Sequence, residues 1–567
     1  MSKHTLERHR LFFVVIALFL ALTMVVAACA PQATEEAPTA PAEQGAATEA
    51  PAQVATTAPT AEPASPTQAQ PVAEEQPPLV LLATGDVVSF DPMYTQSSSE
   101  AERSSNLALY WFDDQGELKP QLASSITPID DYTWEIKLNE GYTFWDGRPV
   151  DAEAVKFTFD RGKRLLEAGE GDVTFGFTAL GMDSIEIIDD LTLHFKTLKP
   201  DPITPVHLAY RETYILHPEY YAENGPEVTG LKPMGAGPYE FVEYVPGEYY
   251  KFKAYEGYRD GVADIKEVVV RIVPELATRI NELKAGSADV ISNLTPDLFP
   301  EIEGTPGSYV SNVPGMTRVM VQIKQGRHPA LADPLVRQAM NYAVDRYSIV
   351  SSLFGDAAQA SCDILNPPRQ NPNQWCYPYD PAKAAELLDQ AGWVMGANGV
   401  REKDGVKLSL EMDSPSGSYP YDKEMAQIII EQLEAVGIDI SDFQVRDRSV
   451  ISEMRKNQGA GYRDLMFMGS GADYECADDL LLVQADSGSN RGSWKNDQFE
   501  AMFTELKTIY DPQQRLQMCW EMEQLAIDDA AQIFLYLKPN SWGVSDRVNW
   551  NARPDQRNWW YGASWTK

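Results

Sequence analysis

Outside the N-terminal segment only four histidines remain, His194, His207, His217 and His328. None stands in an HExxH or other paired spacing that would aim two imidazoles at one metal, so each reads as a surface or strand residue. The chain has no GxSxG elbow, no GxxxxGK[ST] phosphate loop and no GxGxxG between a strand and a helix. Gly235-Ala-Gly237-Pro238 is rich in glycine, but its proline lacks the N–H that a phosphate cradle would use, which makes it a sharp turn. Carboxylates are too numerous for one pair to stand out, and a glycoside hydrolase needs only two, so residue types alone leave that class open. Twelve tryptophans, among them Trp111, Trp134, Trp145, Trp375, Trp393 and Trp494, could form walls that stack on sugars or peptides, although most aromatics in a chain of this size are core.

The five cysteines form no CxxC pair and no Cys/His cluster, which argues against structural zinc. Cys29 stands apart. A basic stretch, Met1 to Arg10, precedes the uncharged run Leu11 to Ala28, the pattern of an export signal. The run ends Val26-Ala27-Ala28-Cys29, which resembles the bacterial lipobox, where the cysteine is lipidated and becomes the new N-terminus; an uncleaved signal anchor is the alternative. Either way the body is tethered outside the cytoplasmic membrane. Residues 30–78 hold ten prolines, no aromatic and no Lys or Arg, so they cannot bury enough apolar surface to fold. They form a solvated tether with a relaxed span of about 40 Å. Cys362, Cys376, Cys476 and Cys519 remain, an even set in a compartment that permits oxidation. Pairing Cys362 with Cys376 and Cys476 with Cys519 would add about 3 kcal/mol or somewhat more per bridge. Three connectivities are open, as are free thiols.

Positioning any of these groups takes more than one core. The 567 residues exceed what a single core serves, so two or three lobes are expected, and 44% hydrophobic residues supply the material. Asp plus Glu number 83 against 47 Lys plus Arg, a net charge of −36 that repels phosphate backbones and argues against a nucleic-acid role. Alternating runs at Tyr132–Leu138, Thr192–Thr197 and Glu267–Val273 predict strands. Asp380-Pro381 opens a helix that stops at Gly392, Asp511-Pro512 opens another, and Glu424–Val436 ends at Gly437. The architecture is mixed α/β. No repeat of solenoid length is visible, and no second hydrophobic span follows Ala28, which argues against a channel.

Six stretches, in order, resemble the bacterial extracellular solute-binding proteins of family 5, the peptide, dipeptide and nickel class of ABC importers. Ser89-Phe-Asp-Pro92 is similar to that family's "LDP" and Leu118-Lys-Pro-Gln-Leu-Ala123 to its "P-x-LA". Gly141-Tyr-Thr-Phe-Trp-Asp-Gly-Arg-Pro-Val-Asp-Ala-Glu-Ala-Val155 resembles "GVxFHDGxPxTAEDV", and Pro233-Met-Gly-Ala-Gly-Pro-Tyr239 resembles "PVGTGPY". Asp333 to Arg346 is similar to "DxxVRQAxxYAIDR", and Tyr379 to Leu388 with Gly392-Trp393 completes the series.

The resemblance implies a periplasmic binding protein-like II fold, two hinged lobes joined by crossing strands, with a smaller inserted domain. The implied division is 1–28 signal peptide, 29–78 tether, 79–118 with 230–321 and 538–567 as lobe I, 119–229 as the insertion and 322–537 as lobe II. It implies capture of peptides in the interlobe cleft by a monomeric lipoprotein. The cargo then passes to permease subunits coupled to an ATPase, with no cofactor, no catalytic residue and no resident metal. An oligosaccharide, a nickel chelate or another small solute is the alternative cargo. Gly469-Ser-Gly-Ala-Asp-Tyr474 is similar to a stretch of the oligopeptide-binding members whose aspartate bonds the peptide's ammonium group. Carried over residue by residue, Asp473 is the amine anchor and Gly469, Gly471, Ala472 and Tyr474 shape the loop around an extended peptide. Ser98 faces it from the other lobe by the same analogy. A helix N-cap or turn carboxylate is the other reading of Asp473. The family's "DP" or "EP" after the aspartate is replaced here by Glu475-Cys-Ala-Asp-Asp479.

Overall fold

Two strands, Ser308–Ile323 and Gln532–Ser545, are about three times the usual strand length and pair antiparallel from Ser308↔Ser545 to Gln322↔Gln532. They form the middle of one sheet in the computed structural model, which describes residues 76–95, 100–456, 461–471, 475–481, 483, 494–550, 552–555 and 558–566. Among these residues the sheet has ten strands. On one side of the long pair, Leu465–Gly471 pairs antiparallel with it and continues in parallel to Ser409–Pro415 and Asp439–Arg446. On the other side come Val290–Ser292, Leu79–Ala83 and Glu267–Ile272, the last two in parallel, then the hairpin Tyr249–Ala254 and Tyr239–Val245.

Each long strand therefore serves two halves. Thr317–Ile323 pairs with Leu465–Gly471, whereas Trp542–Val544 pairs with Val290–Ser292. Between the two, the register shifts from Val313↔Asn540 to Thr317↔Lys538, so that Pro314, Gly315 and Met316 oppose Pro539 alone. Two prolines remove ladder donors there, and a Cβ on Gly315 would lie 2.1 Å from the Lys538 carbonyl oxygen, so the bulge needs glycine.

Parallel strands need cover on both faces, and helices supply it. Val319, Val321, Leu465 and Phe467 are buried with Met340, Leu388 and Ile429 from the helices Pro334–Ala343, Pro381–Gln390 and Asp422–Ala435. Asp380 caps its helix at the Lys383 N–H, and Gly392 and Gly437 both have positive φ beyond their helices. In the other half Leu81, Val270 and Trp542 share a core with Trp560. A separate antiparallel sheet, Ala123–Pro128, Thr133–Leu138, Thr192–Thr197 and Met182–Asp189, packs Trp134, Ile136 and Phe195 against the helix Ala152–Ala168. This smaller layer is inserted between the first strand of the large sheet and its hairpin. Asp91 of the "LDP" stretch holds it, through Arg161 at 2.6 Å and Thr229 at 2.9 Å, all buried.

Gly235-Ala-Gly237 serves close approach and not a left-handed turn. Neither glycine has positive φ, and Cβ atoms there would meet the Ser105 backbone at 2.0 and 2.5 Å. Trp145 of the long motif donates to the Gly237 carbonyl at 3.1 Å.

Candidate ligand-binding site

Leu465–Gly471 carries the first half of the candidate loop. Gly469 is buried opposite Val319, and Tyr419 covers it: a Cβ on Gly469 would sit 2.4 Å from that ring, whose hydroxyl donates to the Gly469 carbonyl at 3.0 Å. The missing side chain makes room for Tyr419, not for an approaching ligand. Gly471 is exposed at the strand's end, opposite Thr317, and a Cβ on it would be 3.3 Å from Thr317 Oγ1. Ala472, Asp473, Tyr474, Ser98 and Cys29 lie outside the described residues.

Glu475 begins a dense polar anchor. Glu475 is buried and accepts from Arg515 Nε at 3.2 Å. In the helix Cys476–Leu481 that follows, Cys476 is bonded to Cys519 with S–S 2.09 Å. Asp479, 1% exposed, accepts from the Asn366 backbone N–H at 3.0 Å and its Nδ2 at 2.9 Å and pairs with Arg318 at 3.3 Å. Arg318 also donates to the Asp479 carbonyl at 2.9 Å and to the Ile364 carbonyl. Glu523, fully buried, accepts the Ile364 and Leu365 N–H groups at 2.7 and 2.9 Å. Burial raises the Glu523 carboxyl to about 7. Cys362 is joined to Cys376 at 2.04 Å, so both bridges flank this network.

The inserted part reaches the same helix: Tyr210 donates to Asp478, and Ile203, Val206 and Tyr210 share a core with Leu480 and Trp494. Nearby, Arg553 donates to the Phe112 and Asp113 carbonyls at 3.0 and 3.1 Å, and Arg103 lies over Trp111 at 4.8 Å and Trp559 at 5.6 Å.

All four histidines are occupied locally. His207 Nδ1 lies 3.0 Å from Asp201, whose carboxylate works against desolvation to leave the imidazole pKa above its ordinary value. His217 Nε2 is 2.9 Å from Asp146 of the long motif, His194 is 3.9 Å from Glu135, and His328 Nε2 is 3.1 Å from the Lys407 carbonyl. Among the described residues no group of three or more His, Cys, Asp or Glu is placed to hold a metal ion.

Sequence reasoning missed Arg318, Asn366, Arg515 and Glu523. The only signal for Arg318 is a lone guanidinium just before the apolar triplet Val319-Met320-Val321, a position that demands a buried partner.

These buried groups pair with one another and hold the chain rigidly beyond the end of the strand, the support that a recognition site needs. The family model "Bacterial extracellular solute-binding proteins, family 5 Middle" matches residues 117–491. The chain belongs to that family, the solute-binding proteins of ABC importers, with two lobes of mixed α/β structure. It is 26% identical to the oligopeptide-binding protein AppA of Bacillus subtilis over 513 residues, 85% of this chain and 91% of that protein. It is 25% identical to the nickel-binding periplasmic protein of Escherichia coli, covering 73% and 83%. The structure of B. subtilis AppA in complex with a nonapeptide matches with a TM-score of 0.71 at 23% identity, over 87% of this chain and 99% of that one.

Proposed function

We propose that this chain is a lipoprotein, anchored through Cys29, that captures peptides between its lobes and delivers them to a permease coupled to an ATPase. The observation that carries the reading is the strand end at Gly471. The strand ends at Gly471, and the chain is fixed again at Glu475 by a buried ion pair and at Cys476 by a disulfide. Fixed points on both sides of Asp473 suit a carboxylate that sets register, and main-chain pairing would accept an extended peptide of any side chains. Similarity to an oligopeptide-binding protein over nine-tenths of that protein's length supports the same cargo. Asp473 is the amine anchor in this reading, and lobes I and II with the insertion at 119–229 are the moving parts.

Isothermal titration with a mixed di- to pentapeptide library tests it. Wild type binds, and Asp473→Ala weakens binding at least tenfold, the worth of a charge-assisted hydrogen bond of about 1.5–3 kcal/mol. Unchanged affinity in the variant removes the anchor. The nickel-binding relative, at nearly the same identity, favours a second reading in which the cargo is a metal chelate. The mass of cargo retained through native purification separates the two.

A further inference from the structure

Gly471, Thr317 and Lys538 are direct partners in three adjacent strands, so their side-chain directions share one face of the sheet. Lys538 and Asn540, two residues apart, also share that face, and Lys538 Nζ lies 3.4 Å from Asn540 Oδ1. The Asn540 amide donates to the Pro554 and Arg553 carbonyls at 2.8 and 3.3 Å, and Arg553 in turn holds Phe112 and Asp113. Lys538 therefore stands between the strand end at Gly471 and the packed segments at Arg553–Pro554 and Phe112–Asp113. It also stands on the bulge where the long strands pass from one half to the other.

The residue is partly buried, and no carboxylate lies within ion-pair distance of its ammonium group among the described residues. Among the described residues Asn540 Oδ1 is the acceptor it reaches, at the long end of the hydrogen-bond range. In a chain with 83 acidic residues, a partly desolvated cation with no counter-ion among the described residues carries a cost that a bound anion would offset. Burial alone lowers its pKa, to about 8.

We propose that Lys538 is a specificity-determining residue whose ammonium group receives a carboxylate of the captured solute, so that the cargo is a carboxylate-bearing molecule. The inference rests on the capture reading above and names the chemical class of its ligand. Binding brings a counter-charge to a partly desolvated ammonium group, which makes the pairing selective for anionic over isosteric neutral ligands.

The test is titration of the full mature chain, as wild type, Lys538→Met and Lys538→Arg, with matched peptides. One set carries a free C-terminal acid or a carboxamide, the other Glu or Gln. Wild type should bind the acid form of one of these pairs at least tenfold more tightly. Lys538→Met should abolish that preference, with affinity for the neutral form held within twofold, and Lys538→Arg should restore part of it. No preference in wild type, or an equal loss for acid and neutral forms in Lys538→Met, overturns the proposal. Should wild type bind no peptide, the peptide reading fails and cargo identified by native mass spectrometry decides the role of Lys538. Carboxylate-bearing cargo retained tenfold less by Lys538→Met supports it, and cargo without a carboxylate overturns it. A wild type with neither peptide affinity nor cargo overturns both.

Discussion

Glu523 carries no solvent exposure, yet it accepts two backbone N–H groups from the Ile364–Leu365 turn. Desolvation is the largest influence on it, Asp363 adds to the rise, and the two N–H groups and Arg318 oppose it. The folded carboxyl thus titrates near 7 against an ordinary value of 4.5, so the folded chain binds a proton more tightly than the unfolded one across that interval. Stability from this group is full below pH 4.5 and is lost as pH rises through 7. Glu523→Gln keeps an acceptor for both N–H groups and removes the titration. Chemical denaturation should show the variant more stable than wild type at pH 8 by up to about 3 kcal/mol, with the gap closing by pH 4.5. A gap independent of pH contradicts the assignment. None of this is legible in the sequence, because Glu523 lies in a helix of ordinary polarity and its partners are some 158 residues away. Gly469 teaches the same lesson: its type announces a close approach, but only the fold reveals that Tyr419 is what approaches.

At the scale of elements, local signals served well where capping is local. Asp380, Asp511, Gly392 and Gly437 mark helix ends in the sequence and in the structure, and the strand expected at Thr192–Thr197 has those bounds. Pairings between distant segments leave no such trace. The departure Glu475-Cys-Ala-Asp-Asp479 is resolved only by three dimensions, as a helix pinned by Arg318, Arg515 and Cys519. The bridge from Cys476 closes a loop of 43 residues and is worth about 4 kcal/mol in the chain-entropy picture. The Cys476→Ala, Cys519→Ala double variant should lose stability of that order. It should also lose amide-exchange protection in Cys476–Leu481 while the four-stranded sheet of the insertion keeps its own. Equal loss of protection in both regions would show that the bridge supports the whole fold and not this helix.

At the scale of the molecule, the two long strands define what can move. Each half of the large sheet has its own parallel strands and helical cover, and among the described strands the halves are joined through the pair Ser308–Ile323 and Gln532–Ser545, with Tyr421 donating to Asp297 at 2.6 Å beside it. The register shift at Pro314-Gly315-Met316 against Pro539 breaks the ladder between them, which makes it the natural place for a change of angle. A ligand closes such a molecule only by binding the closed state more tightly than the open one. The family resemblance anticipated crossing strands, but the bulge and the lysine on it emerge only from register.

Small-angle X-ray scattering of the mature chain, stripped of cargo by unfolding and refolded, then saturated with a peptide whose binding has been established by titration, tests this account most directly. Closure of the two lobes on a ligand predicts that the radius of gyration falls and that the scattering profile becomes that of a more closed molecule when the site is filled. Superimposable profiles for the empty and the saturated protein would contradict it.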